Sequence, residues 1–267
     1  MIGVFDSGVG GLSVLKALRE ELPHEDFIYI ADSGHAPYGE RDEAHAIARS
    51  RAVAAHLVSR NVKALVIACN TATAAAIHSL RADYPLLPII GVEPALKPAV
   101  ALSKTGHIAV LATRSTLGSG RFQALLDSQA GLARFTLQAC DGLADAIERS
   151  AENRDTTEII ASCARYTRAA GIFGTQTGQI DTLVLGCTHY PFARPYLEEL
   201  LGPHVQIVDN GQAVARQTRR LCAPMLNSPS FPAPSSGQVD LFTTGQPQTL
   251  QAAAGRWLGL VGLVKPL

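Results

Sequence analysis

The sequence predicts an α/β protein made of two similar α/β domains, each with a mainly parallel sheet. Short apolar runs with strand character alternate along the chain with longer segments whose apolar residues recur at helical spacing. This alternation stops near Glu93-Pro94 and starts again after Gly106, which indicates two series of elements. With 267 residues, the chain is long enough for two domains of moderate size, each with its own core.

The first series occupies the chain up to residue 93. Ile47, Val53 and Leu57 fall near helical spacing and predict its longest helix, while the continuous apolar run 64–68 predicts a buried strand. In order, we expect strand 3–5, helix 12–21, strand 27–31, loop 32–39, helix 43–60, strand 64–68, helix 73–82 and strand 89–92.

The second series has the same character and is followed by a few further elements. We expect strand 108–112, helix 115–130, strand 135–139, helices 141–150 and 156–170, strand 182–185, helix 191–201 and strand 205–208. Helix 213–221, strand 240–244 and helix 249–258 complete the chain. The intervening segment 227–237 is rich in Pro and Ser and is predicted to be a loop.

The break between the two series predicts a discontinuous first domain. Residues 1–93 and 206–267 are assigned to this domain, and residues 94–205 to the second. In open α/β sheets, ligands collect at the carboxyl ends of the strands. Because strands end at Cys69 and Cys187, one in each predicted domain, we expect the active site in the cleft between the domains.

Composition excludes several classes of function. Lys+Arg and Asp+Glu both number 23 and no long basic run occurs, so nothing favours nucleic-acid binding. The sequence has no apolar stretch of membrane-spanning length and no signal-peptide pattern, which predicts a cytoplasmic protein without membrane partners. The five cysteines are an odd number without CxxC spacing, which argues against a disulfide framework and against a metal site.

Two segments, 66–73 and 184–190, follow the same plan. Each is an apolar strand-like run that ends on a cysteine followed by small polar residues: Cys69 precedes Asn70-Thr71, and Cys187 precedes Thr188-His189. A free cysteine is most often a small buried hydrophobe, which is how we interpret Cys140, Cys163 and Cys222. A thiol at a helix start or beside a histidine, however, can act as a base. Two such thiols suit the removal of a proton from one face of a carbon and the addition of another proton to the opposite face.

Two loops are further candidates for substrate contacts. Segment 6–11 reads DSGVGG between a strand and a helix, and its spacing is not that of a dinucleotide loop. Its backbone N–H groups could hold a substrate carboxylate with Asp6 as a charged partner, or Asp6 could simply cap a tight turn. The loop 36–39 reads APYG, in which a tyrosine hydroxyl and a glycine N–H could reach a carboxylate, although such loops are commonly only turns.

Taken together, these segments carry a family resemblance. Segments 5–11, 36–39, 69–72, 93–95 and 186–191 read FDSGVGG, APYG, CNTA, EPA and GCTHYP. In this order and spacing, over nearly the whole chain, they resemble glutamate racemase of the cofactor-independent aspartate/glutamate racemase family.

The resemblance implies a reaction and a set of residues. Cys69 and Cys187 would be the acid/base pair, acting on D-glutamate and L-glutamate respectively, with Asp6, His189 and Glu148 assisting. The chain departs from many family members in the residues that precede Glu148. The implied substrate-binding residues are Asp6, Ser7, Tyr38, Gly39, Asn70, Thr71, Thr73, Thr116, Thr188 and His189.

The resemblance also implies glutamate as the small-molecule substrate, no cofactor and no metal. The D-glutamate product would serve peptidoglycan synthesis. A homodimer is usual for such enzymes, but no segment of this sequence locates an interface.

Three alternatives remain open from the residues. An aspartate racemase would use a similar pair of thiols. A cysteine hydrolase or amidase would use one thiol with His189 as the base and would leave the second cysteine segment unexplained. A two-lobed amino-acid-binding protein would need neither thiol.

Overall fold

The computed structural model describes residues 1–226 and 237–267. The chain divides into two compact units, Met1–Val92 with Gly211–Leu267, and Glu93–Asn210. Within the described ranges, no helix is long and apolar enough to cross a membrane.

Helices connect most of the successive strands in the described residues. The first stretch contains β1 (Ile2–Asp6), α1 (Leu12–Glu21), β2 (Phe27–Ala31), α2 (Glu43–Ser59), β3 (Leu65–Ile67), α3 (Asn70–Asp83) and β4 (Ile89–Gly91). The second unit contains α4 (Leu96–Leu102), β5 (His107–Ala112), α5 (Arg114–Gly118), α6 (Gly120–Asp127), β6 (Arg134–Ala139), α7 (Leu143–Asn153), α8 (Thr157–Ala170), β7 (Thr182–Leu185), α9 (Arg194–Leu201) and β8 (Gln206–Val208). The chain then returns to the first unit with α10 (Gly211–Leu226), β9 (Val239–Thr243), α11 (Pro247–Leu258) and β10 (Val264–Pro266).

The first unit is built on a six-stranded sheet in the order β10-β9-β2-β1-β3-β4. Its strand pairs are parallel, and all residues of β1 and β2 are buried, as expected for central strands covered on both faces. One side of the core packs α2 and α3 against the sheet through side chains such as Leu57, Ile67 and Leu80.

The second unit is built on a four-stranded parallel sheet in the order β6-β5-β7-β8. Ile108, Val110 and Val184 form part of its core with Leu96 and Phe122. The order β2-β1-β3-β4 in the first unit has the same pattern, so β3 and β7 occupy equivalent positions in the two sheets. Cys69 and Cys187 follow these two strands.

The predicted fold class is confirmed, and several element boundaries differ from prediction. The single helix expected over 115–130 is instead two helices, because Ser119 ends α5 and its Oγ caps α6 by accepting from the Phe122 N–H at 3.1 Å. Helix α4 and strand β10 were not predicted. The loop expected over 227–237 lies outside the described residues, except for Gly237.

The domain boundary also differs from the prediction. Strand β8 was expected to begin the return to the first domain at residue 206. It pairs with β7 in the second sheet, with Thr182 opposite Gln206, so the structure keeps residues 206–210 in the second unit. The prediction was based on a short apolar run, and such a run does not specify which sheet the strand joins.

Candidate active site

Cys69 lies between the end of β3 and the first turn of α3. It is 5% exposed and is the N-cap residue of α3, with its Sγ accepting from the backbone N–H of Ala72 at 3.4 Å. The helix therefore begins at Asn70, three residues before the predicted start, because the thiol itself takes the place of the usual capping oxygen.

A carboxylate and a hydroxyl accompany this thiol. Ser7 Oγ lies 3.5 Å from Cys69 Sγ and donates to Asp6 Oδ1 at 3.3 Å. Asp6 ends β1 and is fully buried. Burial and the negative charge of Asp6 raise the pKa of Cys69 well above its ordinary value of 9.0, so that Cys69 is a protonated thiol at neutral pH.

The loop after β1 is organised by the Asp6 carboxylate. Oδ1 accepts from the Ser7 N–H at 2.7 Å, and Oδ2 accepts from the Gly11 N–H. A Cβ on Gly11 would lie 2.7 Å from Asp6 Cβ and 2.9 Å from the Tyr29 hydroxyl, so the close approach requires glycine. These two N–H groups are thus used by the protein's own carboxylate, as in the tight-turn interpretation of this loop.

The first turn of α3 holds three of the residues implied as substrate ligands. The side-chain Oδ1 and Nδ2 of Asn70 have no hydrogen-bond partner within the described ranges, although the residue is only 5% exposed. Thr71 is buried beside it. The Thr73 hydroxyl donates to the Ile67 carbonyl at 3.3 Å and accepts from the Val92 N–H at 3.1 Å, so it joins β3 to the end of β4.

The APYG segment, residues 36–39, is held in place by a buried tyrosine. Tyr38 is 1% exposed, and its hydroxyl donates to Asp32 Oδ2 at 2.5 Å, while Gly39 is half-buried. Burial, followed by the Asp32 charge, raises the pKa of Tyr38 far above 10.0. Burial also acts to raise the pKa of Asp32, but hydrogen bonds from Arg49, Tyr38 and Thr244 outweigh it and hold this pKa below 3.8.

The second unit presents a thiol, an imidazole and a carboxylate in a row. Cys187 is 8% exposed, and its Sγ lies 3.7 Å from His189 Nδ1, while His189 Nε2 lies 2.8 Å from Glu148 Oε2. Burial acts to lower the pKa of His189, but its bonds to Cys187 and Glu148 outweigh it and raise this pKa well above 6.5. Protonated His189 can therefore donate to the sulfur and to the carboxylate at once.

Backbone geometry at the end of β7 sets the position of this thiol. The Gly186 N–H donates to the Leu111 carbonyl at 2.7 Å, and a Cβ on Gly186 would lie 2.9 Å from Ala112 Cβ. Thr188 follows the thiol and is buried. Thr116, on α5 after the neighbouring strand β5, is also buried, and its hydroxyl accepts from Thr113 Oγ1 at 2.9 Å.

The other three cysteines have different surroundings. Cys140, Cys163 and Cys222 are buried, and burial raises the pKa of each, that of Cys163 to about 12. Within the described residues, no group of three or more His, Cys, Asp or Glu side chains is arranged to hold a metal ion.

The structure thus assembles Asp6, Ser7 and Cys69 in the first unit, and Glu148, Cys187 and His189 in the second. Sequence reasoning missed Asp32 and Arg49, the ion pair under Tyr38. A signal for Asp32 was present, because it directly follows β2, which pairs with β1, and carboxyl ends of neighbouring parallel strands meet at one sheet edge. Arg49 had no such signal, since it approaches from a helix 17 residues further along the chain.

Known proteins are similar to this chain over most of its length. The profile of the Asp/Glu/Hydantoin racemase family matches residues 2–218. The glutamate racemase of Stutzerimonas stutzeri is 48% identical over 223 residues, which are 83% of this chain and 81% of that protein.

Solved structures of glutamate racemases are similar over the whole chain. The isoform RacE1 from Bacillus anthracis superposes with a TM-score of 0.85 at 31% identity, covering 100% of this chain and 97% of that one. The Escherichia coli enzyme, solved with L-glutamate and the activator UDP-MurNAc-ala, has a TM-score of 0.85 at 29% identity, with the same coverage of 100% and 97%.

Proposed function

The chain belongs to the Asp/Glu/Hydantoin racemase family, and from this premise we propose that it interconverts L- and D-glutamate with Cys69 and Cys187 as its two acid/base groups. It is an isomerase of the amino-acid racemase class. Glutamate as substrate is supported by the relatives, because this chain matches glutamate racemases over most of their length.

One observation carries the two-thiol mechanism. Equivalent strands of the two sheets, β3 and β7, each lead into a buried cysteine that a polar side chain links to a carboxylate. In the first unit the link is Ser7 and the carboxylate Asp6. In the second the link is His189 and the carboxylate Glu148. A hydrolase would need only the second arrangement, whereas a racemase uses both.

The proposed reaction begins with one thiolate and one thiol. The thiolate takes the proton from the α carbon as the C–H bond breaks and an S–H bond forms, and the electron pair is delocalised into the α carboxylate. The opposite thiol then gives its proton to the other face of the carbon. Because the carbanion-like transition state is the barrier, hydrogen-bond donors preorganised around the α carboxylate supply most of the stabilisation.

The two environments support different resting roles for the two thiols. Cys69, buried beside Asp6, rests as the thiol, while Cys187 faces the imidazolium of His189, which stabilises negative charge on sulfur. This state is ready for L-glutamate: Cys187 removes the proton and Cys69 returns one to yield D-glutamate. In the reverse direction, Cys69 must act as the base.

Substrate binding is assigned to the polar groups that surround each thiol. The unpartnered amide of Asn70 supports this most directly, because a buried amide without hydrogen bonds is costly unless a ligand satisfies it. Thr71, Thr188 and Gly39 are the other candidates with their polar groups near these positions. We also propose that the D-glutamate product serves peptidoglycan synthesis.

The test is loss of the circular dichroism signal of L-glutamate in the presence of dialysed enzyme, with ammonia release measured in parallel. We expect the signal to decay to zero without ammonia release, in the presence of EDTA or hydroxylamine, and to persist after thiol alkylation. An amidase acts on the side-chain amide that glutamate lacks, so ammonia release in a parallel assay with L-glutamine would indicate a hydrolase. Loss of activity with EDTA or hydroxylamine would contradict the cofactor-free mechanism.

Aspartate is the discriminating second substrate. A site whose buried polar groups pair both carboxylates of glutamate leaves some of them unpaired when one methylene is removed, at a cost of several kcal/mol. We therefore expect a much lower kcat/KM for aspartate, and comparable values for the two amino acids would refute glutamate selectivity.

A further inference from the structure

We propose that Arg49 and Asp32 are a positioning pair that acts through Tyr38, fixing the segment 38–39 so that it binds the substrate. The pair would then set the KM for glutamate and leave the rate of proton transfer nearly unchanged. This inference rests on the proposed function, since it assigns a role within the same substrate site.

Both carboxylate oxygens of Asp32 accept hydrogen bonds from groups of the protein itself. It is fully buried, and its Oδ2 accepts from the Tyr38 hydroxyl at 2.5 Å and from Arg49 Nε at 2.9 Å. Its Oδ1 accepts from Arg49 Nη2 at 2.9 Å and from Thr244 Oγ1 at 2.8 Å, and His35 Nδ1 lies 3.1 Å away. With each oxygen already accepting two or more hydrogen bonds, this carboxylate is an anchor and does not serve as a substrate ligand.

Both ends of the turn between residues 32 and 38 are attached to this anchor. The Asp32 N–H donates to the Asp6 carbonyl at 2.9 Å, which ties the start of the turn to the end of β1. The Tyr38 hydroxyl returns to the Asp32 side chain and ties its end. Tyr38 also packs in the same core cluster as Cys69, so the position of its ring is coupled to the first half of the site.

The hydroxyl bond has a consequence for Tyr38 itself. A phenol has one hydrogen to donate, and Tyr38 gives it to Asp32. The hydroxyl therefore cannot donate to a substrate carboxylate, although the sequence suggested that it could. The contribution of this segment to binding is then its backbone, whose position depends on the anchor.

Arginine is required at position 49 for a geometric reason. Its guanidinium makes two parallel hydrogen bonds to the two carboxylate oxygens of Asp32 and so fixes the orientation of that group, which a lysine ammonium cannot do. Arg49 is 24% exposed, so its outer face reaches solvent and a lysine can be accommodated there.

The same helix provides a matched control. Arg51, two residues along α2, also forms a paired contact with an aspartate: its Nε lies 2.8 Å from Asp83 Oδ2 and its Nη2 lies 3.4 Å from Oδ1. This pair is much more exposed, at 51% and 38%, and Asp83 ends α3 far along the helix from Asn70. Arg51→Lys therefore makes the same chemical change on the same helix without touching the anchor.

The experiment measures KM and kcat for both enantiomers in wild type, Arg49→Lys, Arg51→Lys and Tyr38→Phe, at a temperature well below unfolding. We expect Arg49→Lys and Tyr38→Phe each to raise KM about tenfold, the equivalent of one lost hydrogen bond to a charged group, with kcat within about twofold. Arg51→Lys should behave as wild type. Because the equilibrium constant of a racemisation is fixed by symmetry, kcat/KM must fall equally in both directions, which checks the data internally.

The double variant Arg49→Lys/Tyr38→Phe tests whether the two substitutions raise KM through the same carboxylate or independently of each other. Both changes act through one carboxylate, so the combined rise in KM should be smaller than the product of the single effects. An unchanged KM in Arg49→Lys and Tyr38→Phe, or a fall confined to kcat, would overturn the inference, and so would fully multiplicative effects. If Arg49→Lys does not fold, Tyr38→Phe decides alone. A wild type that does not racemise glutamate would instead refute the proposed function.

Discussion

At the scale of single residues, Cys69 and Cys187 have the same side chain in two different environments. Cys69 is buried beside the negative Asp6, which disfavours a second negative charge on its sulfur. Cys187 is equally buried but lies beside His189, which carries the positive charge that a thiolate needs. The two sulfurs therefore lie beside charges of opposite sign, which suits a racemase that begins with one acid and one base.

His189 should stay protonated above the ordinary histidine range. Its bonds to Cys187 and Glu148 raise its pKa, so we expect the imidazole to titrate with a midpoint above 6.5. A raised folded-state pKa means that its contribution to stability is fully present below 6.5 and is lost as the pH rises through the folded-state midpoint. NMR titration of labelled His189 measures this midpoint. Glu148→Gln should lower it, and a midpoint at or below 6.5 in wild type would contradict the proposed charge state.

Asn70 should lower stability in exchange for binding. Its buried amide has no hydrogen-bond partner within the described ranges, which costs about 1–3 kcal/mol in the free protein. We expect Asn70→Ala to raise KM for both enantiomers while the melting temperature stays equal or rises. Lower stability with an unchanged KM would show that the amide serves the fold and not the substrate.

At the scale of elements, the sequence predicts most strands and helices but few of the contacts that shape the site. Apolar runs and helical spacing identified β3 and β7 and placed both thiols at strand ends. They could not show that Cys69 caps α3, because a sulfur cap has no established sequence signature, nor that Ser119 divides one apolar helix pattern into α5 and α6. Contacts between distant segments, such as Arg49 with Asp32, depend on packing that local patterns do not encode.

The end of β7 should tolerate no side chain at Gly186. An added Cβ would lie 2.9 Å from Ala112 Cβ and 3.0 Å from the Leu111 carbonyl oxygen, so β5 and β7 would have to separate. We expect Gly186→Ala to lower the free energy of unfolding by about 1–3 kcal/mol, as in other overpacked sites, and to lower kcat by moving Cys187.

Gly118→Ala on α5 is the control for this substitution, because a Cβ there meets no atom within 4 Å. It should be neutral or slightly stabilising in a helix. Urea unfolding of both variants makes the comparison. Equal stability of Gly186→Ala and wild type would show that the two strands adjust freely.

At the scale of the whole molecule, the repeated strand order explains why a two-thiol site could be inferred from sequence. The segments around Cys69 and Cys187 look alike because they follow equivalent strands of two sheets with the same order, β2-β1-β3-β4 and β6-β5-β7-β8. The chain connectivity was harder to predict, since the short strand β8 joins the second sheet and shifts the boundary to residue 210. The homodimer stays a prediction, which sedimentation of the purified protein can check.

The most direct test of the central claim is the behaviour of Cys69→Ala and Cys187→Ala in deuterium oxide. A single base cannot serve both faces of a carbon, so each variant should lose racemisation while Cys140→Ala stays nearly as active as wild type. Each surviving thiol should still exchange the α proton of one enantiomer for solvent deuterium. We expect Cys69→Ala to retain exchange on L-glutamate and Cys187→Ala on D-glutamate. Substantial racemisation by either single variant, shown to be free of wild-type enzyme, would contradict the two-thiol mechanism.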